Sequence, residues 1–483
     1  MSSYHSVGVS SCATLPSPAL PSRRDGTPSS ATRWAPRDRS SSLLSVLRAI
    51  ASFALVIVVP GIACGEQIRL DADEAARRAV EASSAAAAAA ARLAIASAGV
   101  DSSDATRLPI VSATASVTQR SSVPEFGIPT SPGGGVTLIY PNIPTAYAAG
   151  LRADQTIYAG GAIDAARSAA RADRTAAAAQ RDRVLADLRL AGRLTYWESV
   201  RARASVVAAQ ANEARSRRLL DDTLALFSAG MAVRADVLAA EERTASARVA
   251  VVRAEAATAE AEAQLRSLLA LGPDDDIVPT DTITGQLPPS PPPLAELTER
   301  ALAGRPELAA LGAQRDAAAM RELLAGAPSR PTLGLSAQWE LSRPNSRYFP
   351  LADEWHDTWS VGLTSQWRLF DGGKSRADVG AARALRGALG RDLEEATRLV
   401  RLEVEVSHRE LTAALATVEA ADSARAAADE RDRAANERFG AGLAAMTEIL
   451  DARAALALAE QQQISSRAAA WMAAARIQRA INQ

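Results

Sequence analysis

The sequence predicts a mostly α-helical protein that also carries membrane-spanning β-strands and is built by internal duplication. Three observations support this fold class. Apolar and polar residues alternate from Trp359 to Gly373, long stretches rich in Ala, Arg, Glu and Leu follow, and the same order of segments occurs twice along the chain.

The alternating segment is the clearest strand in the sequence. One side of an extended chain here carries Trp359, Val361, Leu363, Trp367 and Leu369, and the other side carries Ser360, Gly362, Thr364, Gln366 and Arg368. A strand of a membrane barrel needs apolar side chains towards lipid and polar ones towards a wet lumen. We therefore predict membrane-spanning β from about Thr358 to Phe370, ended by the FDGG sequence and followed directly by a helix.

Composition disfavours several classes of protein. The 483 residues include 54 basic and 55 acidic side chains, so the net charge of -1 does not favour nucleic acid. Aromatic residues make up only 4% and Ala dominates, which is typical of long helices and coiled coils. His5, His356 and His408 are too scattered for a metal cluster, and we find no nucleophile with a partner His and no phosphate loop. The sequence thus predicts neither an enzyme nor a cofactor or metal site.

The N-terminus is predicted to be a targeting region. Residues 1–40 are rich in Ser, Pro and Arg and are predicted to be unstructured, or to come from an overextended gene start. Residues 41–64 are predicted to be a signal peptide, because a basic residue precedes an apolar run too short to span a bilayer and small residues follow. Cys64 is a candidate for acylation, and the alternative is ordinary cleavage near Ala63 or Gly65.

The rest of the chain is predicted to contain two copies of one unit. Placing Tyr158 over Phe370 gives an offset of 212 residues (370 minus 158). The same offset aligns Gly150 with Gly362, Phe227 with Phe439, and Gly230 with Gly442. The predicted domains are a first repeat at residues 66–271, a Pro-rich linker at 272–293 and a second repeat at 294–483.

Each repeat is predicted to hold a helix, two strands, a long helix and a return helix. The first helices are predicted at about 71–99 and 294–326, and strands start near Pro109 and Pro331. These prolines are 222 residues apart (331 minus 109), so the first repeat has about ten additional residues between its strands, assigned to a hairpin loop at 121–145.

The long helix is predicted from Gly161 to Phe227, about 100 Å at 1.5 Å per residue. Its counterpart in the second repeat is predicted to carry a coiled-coil seam at Leu385, Leu389, Leu393, Ala396, Leu399, Leu402, Val406, Leu411, Leu415 and Val418. Four strands cannot close a barrel, since the smallest barrels need about eight, and open edges are not tolerated in lipid. Chains must therefore pool their strands, and the strand pattern alone leaves two and three copies open.

Short motifs in this order and at these spacings resemble the TolC-like outer-membrane efflux proteins over roughly residues 66–483. They are Arg305-Pro306-Glu307-Leu308, FDGG at 370–373 with its YAGG partner, FSAGM at 227–231, RFGAGL at 438–443, and Ile449-Leu450-Asp451-Ala452-Arg453. The resemblance implies a homotrimer in which a twelve-stranded β-barrel, four strands per chain, is continuous with a long α-helical coiled-coil periplasmic tunnel. Ser83-Ser84 stands where the second repeat has Arg305-Pro306, so we expect the first helix of the first repeat to start differently.

The same resemblance implies a function and partners. The protein would be a passive exit duct of the outer membrane that serves a tripartite efflux or type I secretion system. It would dock to a periplasmic adaptor protein and an inner-membrane pump. A competing hypothesis is a periplasmic coiled-coil spacer without a channel, which the alternating strands disfavour because a spacer needs no Trp or Leu facing lipid. The cargo class stays open among drugs, metal ions, siderophores and proteins.

The predicted functional positions fall into four groups. Strand-to-helix turns are predicted at Gly160, Gly161, Phe370, Asp371, Gly372 and Gly373. Lipid-facing aromatics near a membrane interface are predicted at Trp339, Trp359 and Trp367, the alternative being core aromatics. The resemblance implies adaptor-docking tips at Gly230, Met231, Gly442 and Leu443, the alternative being plain turns with a Gly C-cap.

The fourth group is a periplasmic aperture. Glu448 and Asp451 are three residues apart and share a helix face, and Asp236 corresponds to Glu448 in the first repeat. In the family, acidic residues at these places ring the mouth of the tunnel, and the alternative is a solvated helix face. The Tyr and Arg of the well-known family gate are replaced here by Phe439 and Ala444, so that lock is predicted to be absent.

Overall fold

The first repeat starts with a short strand and two helices before it reaches a sheet. The computed structural model describes residues 67–130, 132–273 and 275–482, so the predictions for residues 1–64, including Cys64, lie outside the described residues. The elements of the first repeat are β1 (Gln67–Leu70), α1 (Ala72–Glu81), α2 (Ser84–Ala105), β2 (Ile110–Gln119), β3 (Phe126–Pro129), β4 (Val136–Tyr140), β5 (Thr145–Ala159), α3 (Ala162–Ser228) and α4 (Arg234–Leu268).

The second repeat follows the same plan. Its elements are β6 (Asp276–Pro279), α5 (Leu294–Gly304), α6 (Pro306–Gly326), a 3₁₀ turn (Ala327–Ser329), β7 (Thr332–Arg343), β8 (His356–Gln366), α7 (Lys374–Gly440) and α8 (Met446–Ala480). The long helices α3 and α7 each contain 67 residues and the return helices each contain 35. A helix of that length measures about 100 Å. The internal duplication and the long helices are therefore confirmed.

The single helix predicted at the start of each repeat is wrong, because both repeats contain two helices there. In the first repeat, Ser83 caps α2, and its hydroxyl oxygen accepts hydrogen bonds from the backbone N–H groups of Ala85 and Ala86 at 3.1 and 3.4 Å. In the second repeat, α6 begins at Pro306, whose missing N–H prevents α5 from continuing. The two caps, Ser83 and Arg305, are equivalent positions, so Ser and Arg-Pro produce the same break by different means.

Four strands form one antiparallel sheet in the order β2-β5-β7-β8. Its register places Ala113 beside Leu151, Leu151 beside Trp339, and Trp339 beside Trp359. Within the described part of one chain, β2 and β8 each have a strand neighbour on one side only. Both edges of the sheet are therefore free in a single chain.

The second strand of the second repeat ends earlier than predicted. β8 stops at Gln366 rather than Phe370, and seven residues then separate it from α7. The physical reason is the lack of a partner, since β7 begins at Thr332 and Thr332 already pairs with Gln366. β5 ends at Ala159, which pairs with the same Thr332, and only two residues separate it from α3. The strand therefore runs straight into a helix in the first repeat only.

Two regions predicted as loop or linker contain short strands. The loop at 121–145 holds a hairpin of β3 and β4. The linker at 272–293 has no helix among its described residues, but β6 lies in it and pairs in parallel with β1, with Ile68 beside Ile277. This pairing attaches the start of the described chain to the linker between the repeats.

The largest buried cluster lies beside that small parallel sheet. Tyr196 of α3 is fully buried, and its hydroxyl lies 2.8 Å from the Asp281 carboxylate and 3.2 Å from the Leu70 carbonyl oxygen. Burial and the Asp281 carboxylate raise the pKa of Tyr196 far above its usual value, so the phenol stays protonated. The next residue, Trp197, stacks on Trp471 of α8 with ring centroids 4.7 Å apart. This cluster joins the two repeats.

The coiled-coil seam predicted on α7 is only partly correct. Leu411 and Val418 are buried, but Leu385, Leu399, Leu402 and Val406 are exposed. The buried side of α7 instead follows Val400, Val404, Ser407, Leu411, Val418 and Ala421. Three apolar side chains on another side of α7 stay exposed, Leu399 by 52%, Leu402 by 54% and Val406 by 44%. We name these three residues the α7 stripe.

Among the described residues, no single helix is both long and apolar enough to cross a bilayer, although α1 and α2 together, bent by 53°, meet the criteria of length and composition. Both of these helices contact α3.

Candidate functional site

The two faces of the four-stranded sheet differ in polarity. One face presents exposed apolar side chains from every strand: Val111, Val117, Leu151, Leu335, Trp339, Trp359, Val361 and Leu363. The opposite face carries mostly Ser, Thr, Gly and Ala, together with Arg152, Asp154, Gln338 and Glu340. Such a sheet is suited to lie between lipid and water.

Two of the three predicted lipid-facing tryptophans, Trp339 and Trp359, lie near the middle of this sheet, and Trp367 lies just beyond one end of it. Trp339 and Trp359 are cross-strand partners on the apolar face, and the indole Nε1 of Trp339 lies 3.4 Å from the carboxylate of Asp357. Trp367 lies just beyond β8, where its Nε1 donates to the Ser329 carbonyl oxygen at 3.1 Å. Tryptophans with a satisfied N–H and an exposed ring suit a membrane interface. Lipid contact by these rings stays a prediction.

Two tyrosines join this aromatic set and were missed in the sequence. Tyr147 lies on the apolar face opposite Val117, and Tyr158 lies opposite Leu333. A bulge between Thr156 and Tyr158 moves Tyr158 from the polar to the apolar face. Strict counting in steps of two therefore assigns Tyr158 to the wrong side.

The predicted strand-to-helix turns each contain two consecutive glycines with positive φ. These angles are 64° and 88° at Gly160 and Gly161, and 67° and 90° at Gly372 and Gly373. The first turn is tight, since a Cβ on Gly160 would lie 2.6 Å from the Ala327 carbonyl oxygen. In the second turn, the Asp371 carboxylate accepts hydrogen bonds from the backbone N–H groups of Gly373 and Ser375, at 3.0 and 2.9 Å. Phe370, the remaining predicted turn residue, is 87% exposed.

The two predicted docking tips have the same backbone geometry. Gly230 and Gly442 have φ of 77° and 72°, in the left-handed region that favours glycine. The next amide in each tip bonds back across the turn, from Met231 to the Leu226 carbonyl oxygen and from Leu443 to the Arg438 carbonyl oxygen, both at 2.8 Å. These are Schellman turns. Met231 and Leu443 are 71% and 70% exposed, so each tip ends in an exposed apolar side chain.

The three predicted aperture carboxylates have different surroundings. Glu448 forms an ion pair with Arg438, whose Nη2 also donates to the Leu443 carbonyl oxygen at 3.2 Å. Asp236 instead caps its own helix by accepting from the Val233 backbone N–H at 3.2 Å. Asp451 is exposed and forms no ion pair within the described ranges.

Arg438 is a further functional candidate that sequence reasoning missed. Its counterpart in the first repeat is Leu226, so only the second tip has a charged bridge across its turn. Arg438 and Glu448 are ten residues apart with a turn between them, so the spacings of three and four residues that identify ion pairs on one helix do not identify this pair.

The Arg305-Pro306-Glu307-Leu308 motif joins several helices. Arg305 is 4% exposed, donates from Nε to the Ala480 carbonyl oxygen at 2.7 Å, and places Nη2 2.6 Å from the Glu403 carboxylate. Glu307 accepts a hydrogen bond from Arg479 of α8, which also bonds the Asp187 carboxylate of α3 at 2.8 Å. Burial acts to raise the pKa of Glu307, but the Arg479 hydrogen bond and the charge of Arg305 outweigh it and keep that pKa below its usual value.

This network has no feature of a catalytic centre. Its two guanidinium groups and three carboxylates join α3, α6, α7 and α8, which is a structural role. Across the described ranges, no group of three or more His, Cys, Asp or Glu side chains is placed to hold a metal ion.

The chain matches a known family over both repeats. The family model described as outer membrane efflux protein matches residues 75–271 and again residues 297–483. The chain belongs to this family. It is a channel protein of outer-membrane efflux, with its sheet in the outer membrane and its long helices in the periplasm. No curated protein sequence shows significant similarity to the chain.

Solved outer-membrane channels share the fold. The channel OprN aligns with a TM-score of 0.71 at 21% identity, covering 85% of this chain and 89% of that chain. VceC of Vibrio cholerae gives 0.69 at 19% identity, covering 85% and 96%, respectively. The open state of the Neisseria gonorrhoeae MtrE channel gives 0.72 at 18% identity, covering 85% and 88%. Family members and these neighbours are channel proteins.

Proposed function

We propose that three copies of the chain form the exit duct of a tripartite efflux or type I secretion system. The observation that carries this proposal is the pair of free sheet edges, β2 and β8, because unpaired edges are not tolerated in lipid. The two edge strands have 10 and 11 residues. They run in opposite directions, so β8 of one copy can pair antiparallel with β2 of the next.

Three copies suit a duct better than two. An eight-stranded barrel has an interior that its own side chains fill. The polar face here carries Arg152, Gln338 and Glu340, whose long side chains would occupy so narrow an interior. Twelve strands from three chains leave an open lumen, with the apolar face and its tryptophans towards lipid.

The α7 stripe supports assembly along the helices. Leu399, Leu402 and Val406 are about half exposed in one chain, and burying them against another copy removes apolar surface from water. Three sets of helices about 100 Å long then enclose a periplasmic tunnel. Residues 66–271 and 294–483 are the repeats of that assembly, and residues 41–64 are its signal peptide.

We assign docking and gating to the ends of the long helices that lie farthest from the sheet. The tips at Gly230 and Gly442 lie about 100 Å along the helices from the sheet, where a periplasmic adaptor and an inner-membrane pump can reach them. Glu448, Asp451 and Asp236 then surround the periplasmic mouth. The duct is passive and performs no catalytic step.

Outer-membrane fractionation followed by chemical crosslinking tests this proposal. We expect a detergent-extracted oligomer that crosslinks to three chains. Leu402→Lys should reduce the three-chain product, whereas Arg401→Glu, on a neighbouring exposed position outside the α7 stripe, should preserve it. A monodisperse monomer that stays soluble without detergent would overturn the proposal and favour the periplasmic spacer.

A further inference from the structure

Long polar side chains on the polar face of the sheet are grouped at its middle. The rows on either side of this group carry mostly short side chains, with Ser116, Ala148 and Ser342 in one row and Thr156, Gly334 and Thr364 in the other. Three adjacent rows differ, because they contain Asp154 beside Ser336, Arg152 beside Gln338, and Glu340 beside Gly150. We name Arg152, Asp154, Gln338 and Glu340 the lumen cluster.

The charges of the lumen cluster do not cancel. Arg152 binds Asp154 with two hydrogen bonds, from Nε to Oδ2 at 2.7 Å and from Nη2 to Oδ1 at 3.0 Å. This bidentate pair holds the Arg152 side chain along its own strand. Glu340 accepts from the Gln338 amide at 3.3 Å, and among the described residues no Arg or Lys forms an ion pair with it. One negative charge per chain is therefore left at this level.

Glu340 is partly exposed and lines a cavity on the polar face of the sheet, beside Tyr348 and Phe349 of the loop between β7 and β8. Its cross-strand partners are Gly150 and Thr358, neither of which reaches past it towards the barrel axis. Ions and cargo that enter this cavity from the lumen therefore meet the carboxylate. Its field is screened within about 8 Å at physiological ionic strength, so it acts on solutes near the wall and not across the whole lumen.

We propose that the lumen cluster is a charge-selective ring inside the barrel, and that it favours cationic over anionic solutes. The inference rests on the proposed trimer, in which three copies of Glu340 lie at one level. Rings of carboxylates along a pore favour cations. Arg152 limits the strength of this preference because it neutralises Asp154.

Cysteine modification measures the local charge independently of the periplasmic end. Ser360 lies in the row of Arg152 and Gln338, and it is replaced by Cys in a Cys64→Ser background. Cationic and anionic methanethiosulfonate reagents of similar size are added from outside to the protein in the outer membrane. The ratio of the cationic to the anionic reaction rate reports the potential at the cysteine.

Three substitutions should change this ratio with opposite signs. Glu340→Gln and Asp154→Asn each remove a negative charge and should lower the ratio. We expect the cationic rate to fall and the anionic rate to rise, each by about threefold. Arg152→Gln removes a positive charge and should raise it. Thr364→Cys provides the matched control on the same face, because it lies six residues along β8 from Thr358, the partner of Glu340, and about 20 Å away. Its ratio should not respond to Glu340→Gln.

The outcomes separate the ring from the proposed barrel. If Ser360→Cys does not react, or if Val361→Cys on the apolar face reacts as fast, the orientation of the sheet and the barrel itself are wrong. If Ser360→Cys reacts but its ratio is the same with Glu340→Gln and with Arg152→Gln, the barrel stands and the charge-selective ring is wrong.

Discussion

Arg438, near the end of α7, forms an ion pair with Glu448 in the first turn of α8 and also bonds the Leu443 carbonyl oxygen within the tip. One guanidinium therefore connects the second tip to the predicted periplasmic aperture. It also neutralises one of the three carboxylates per chain that are predicted for the aperture. The exposed Asp451 is left as the main source of negative charge.

We expect Asp451→Asn to weaken the cation preference of the pore and to weaken block by a trivalent cation added from the periplasmic side. Arg438→Gln should strengthen both, because it frees the charge of Glu448. Planar-bilayer reversal potentials and block curves measure these changes. Equal selectivity and block in the wild type and both variants would show that Glu448 and Asp451 lie on a solvated helix face outside the aperture.

Replacement of a tip glycine should separate docking from assembly. Gly230→Val or Gly442→Val introduces a β-branched residue at positive φ, which costs roughly 1–2 kcal/mol locally. Because the tips lie far from the sheet, we expect reduced efflux with normal levels of the crosslinked three-chain product. Ala229→Val and Ala441→Val are matched controls, since these neighbours have φ of -81° and -83°. Loss of the three-chain product in the glycine variants would argue against a docking role.

Gly192 is predicted to be required for packing of α1 on α3. A Cβ there would lie 2.8 Å from both the Ala75 carbonyl oxygen and the Ala76 Cα. Gly192→Ala should therefore destabilise the protein by roughly 1–3 kcal/mol, although Ala is the better helix former.

Gly99→Ala in α2 is the control for this comparison, because a Cβ at Gly99 meets nothing within 4 Å. It should be neutral or stabilising by up to about 1 kcal/mol. Thermal unfolding followed by circular dichroism in detergent compares the two variants. Equal melting temperatures would contradict the close approach of α1 and α3.

Acid should weaken the helical part partly through Glu307. The pKa of Glu307 is lower in the folded than in the unfolded chain, so its stabilising effect is fully present above the unfolded value of about 4.3. That effect is lost as the pH falls through the lower, folded pKa. Glu307→Gln should therefore lower the melting temperature at pH 7 and reduce its further fall below about pH 4.3. Parallel melting curves against pH for the wild type and Glu307→Gln would contradict this role.

An acyl chain on Cys64 should contribute nothing to membrane anchoring. β1 begins at Gln67, three residues later, and three extended residues reach at most about 11 Å. Leu70 in this strand contacts Tyr196, which lies 34 residues into α3 and so about 51 Å along the helix from the sheet (196 minus 162). We expect Cys64→Ala to fractionate with the outer membrane in normal amounts. Release of this variant into the soluble fraction would contradict that expectation.

Much of the fold is determined by the order of residues alone. Period-two alternation identifies the membrane strands, and the constant offset identifies the duplication, because both patterns are local or repeat along the chain. The glycine-containing turns and the lengths of α3 and α7 follow from the same reading. The sequence also gives the family, through motifs such as Arg305-Pro306-Glu307-Leu308.

Other features depend on which segments meet in space. β8 ends opposite Thr332, because Thr332 is the last partner that β7 offers. The helices packed against α7 determine which of its sides is buried, since steps of three and four describe both Leu399–Leu402–Val406 and Val400–Val404–Ser407. Arg305 bonds the carbonyl oxygen of a residue 175 positions away, and Arg438 reaches Glu448 across a turn. Only the tertiary structure reveals such contacts, because a hydrogen bond depends on distance and direction in space, and neither is encoded in the spacing of residues along the chain.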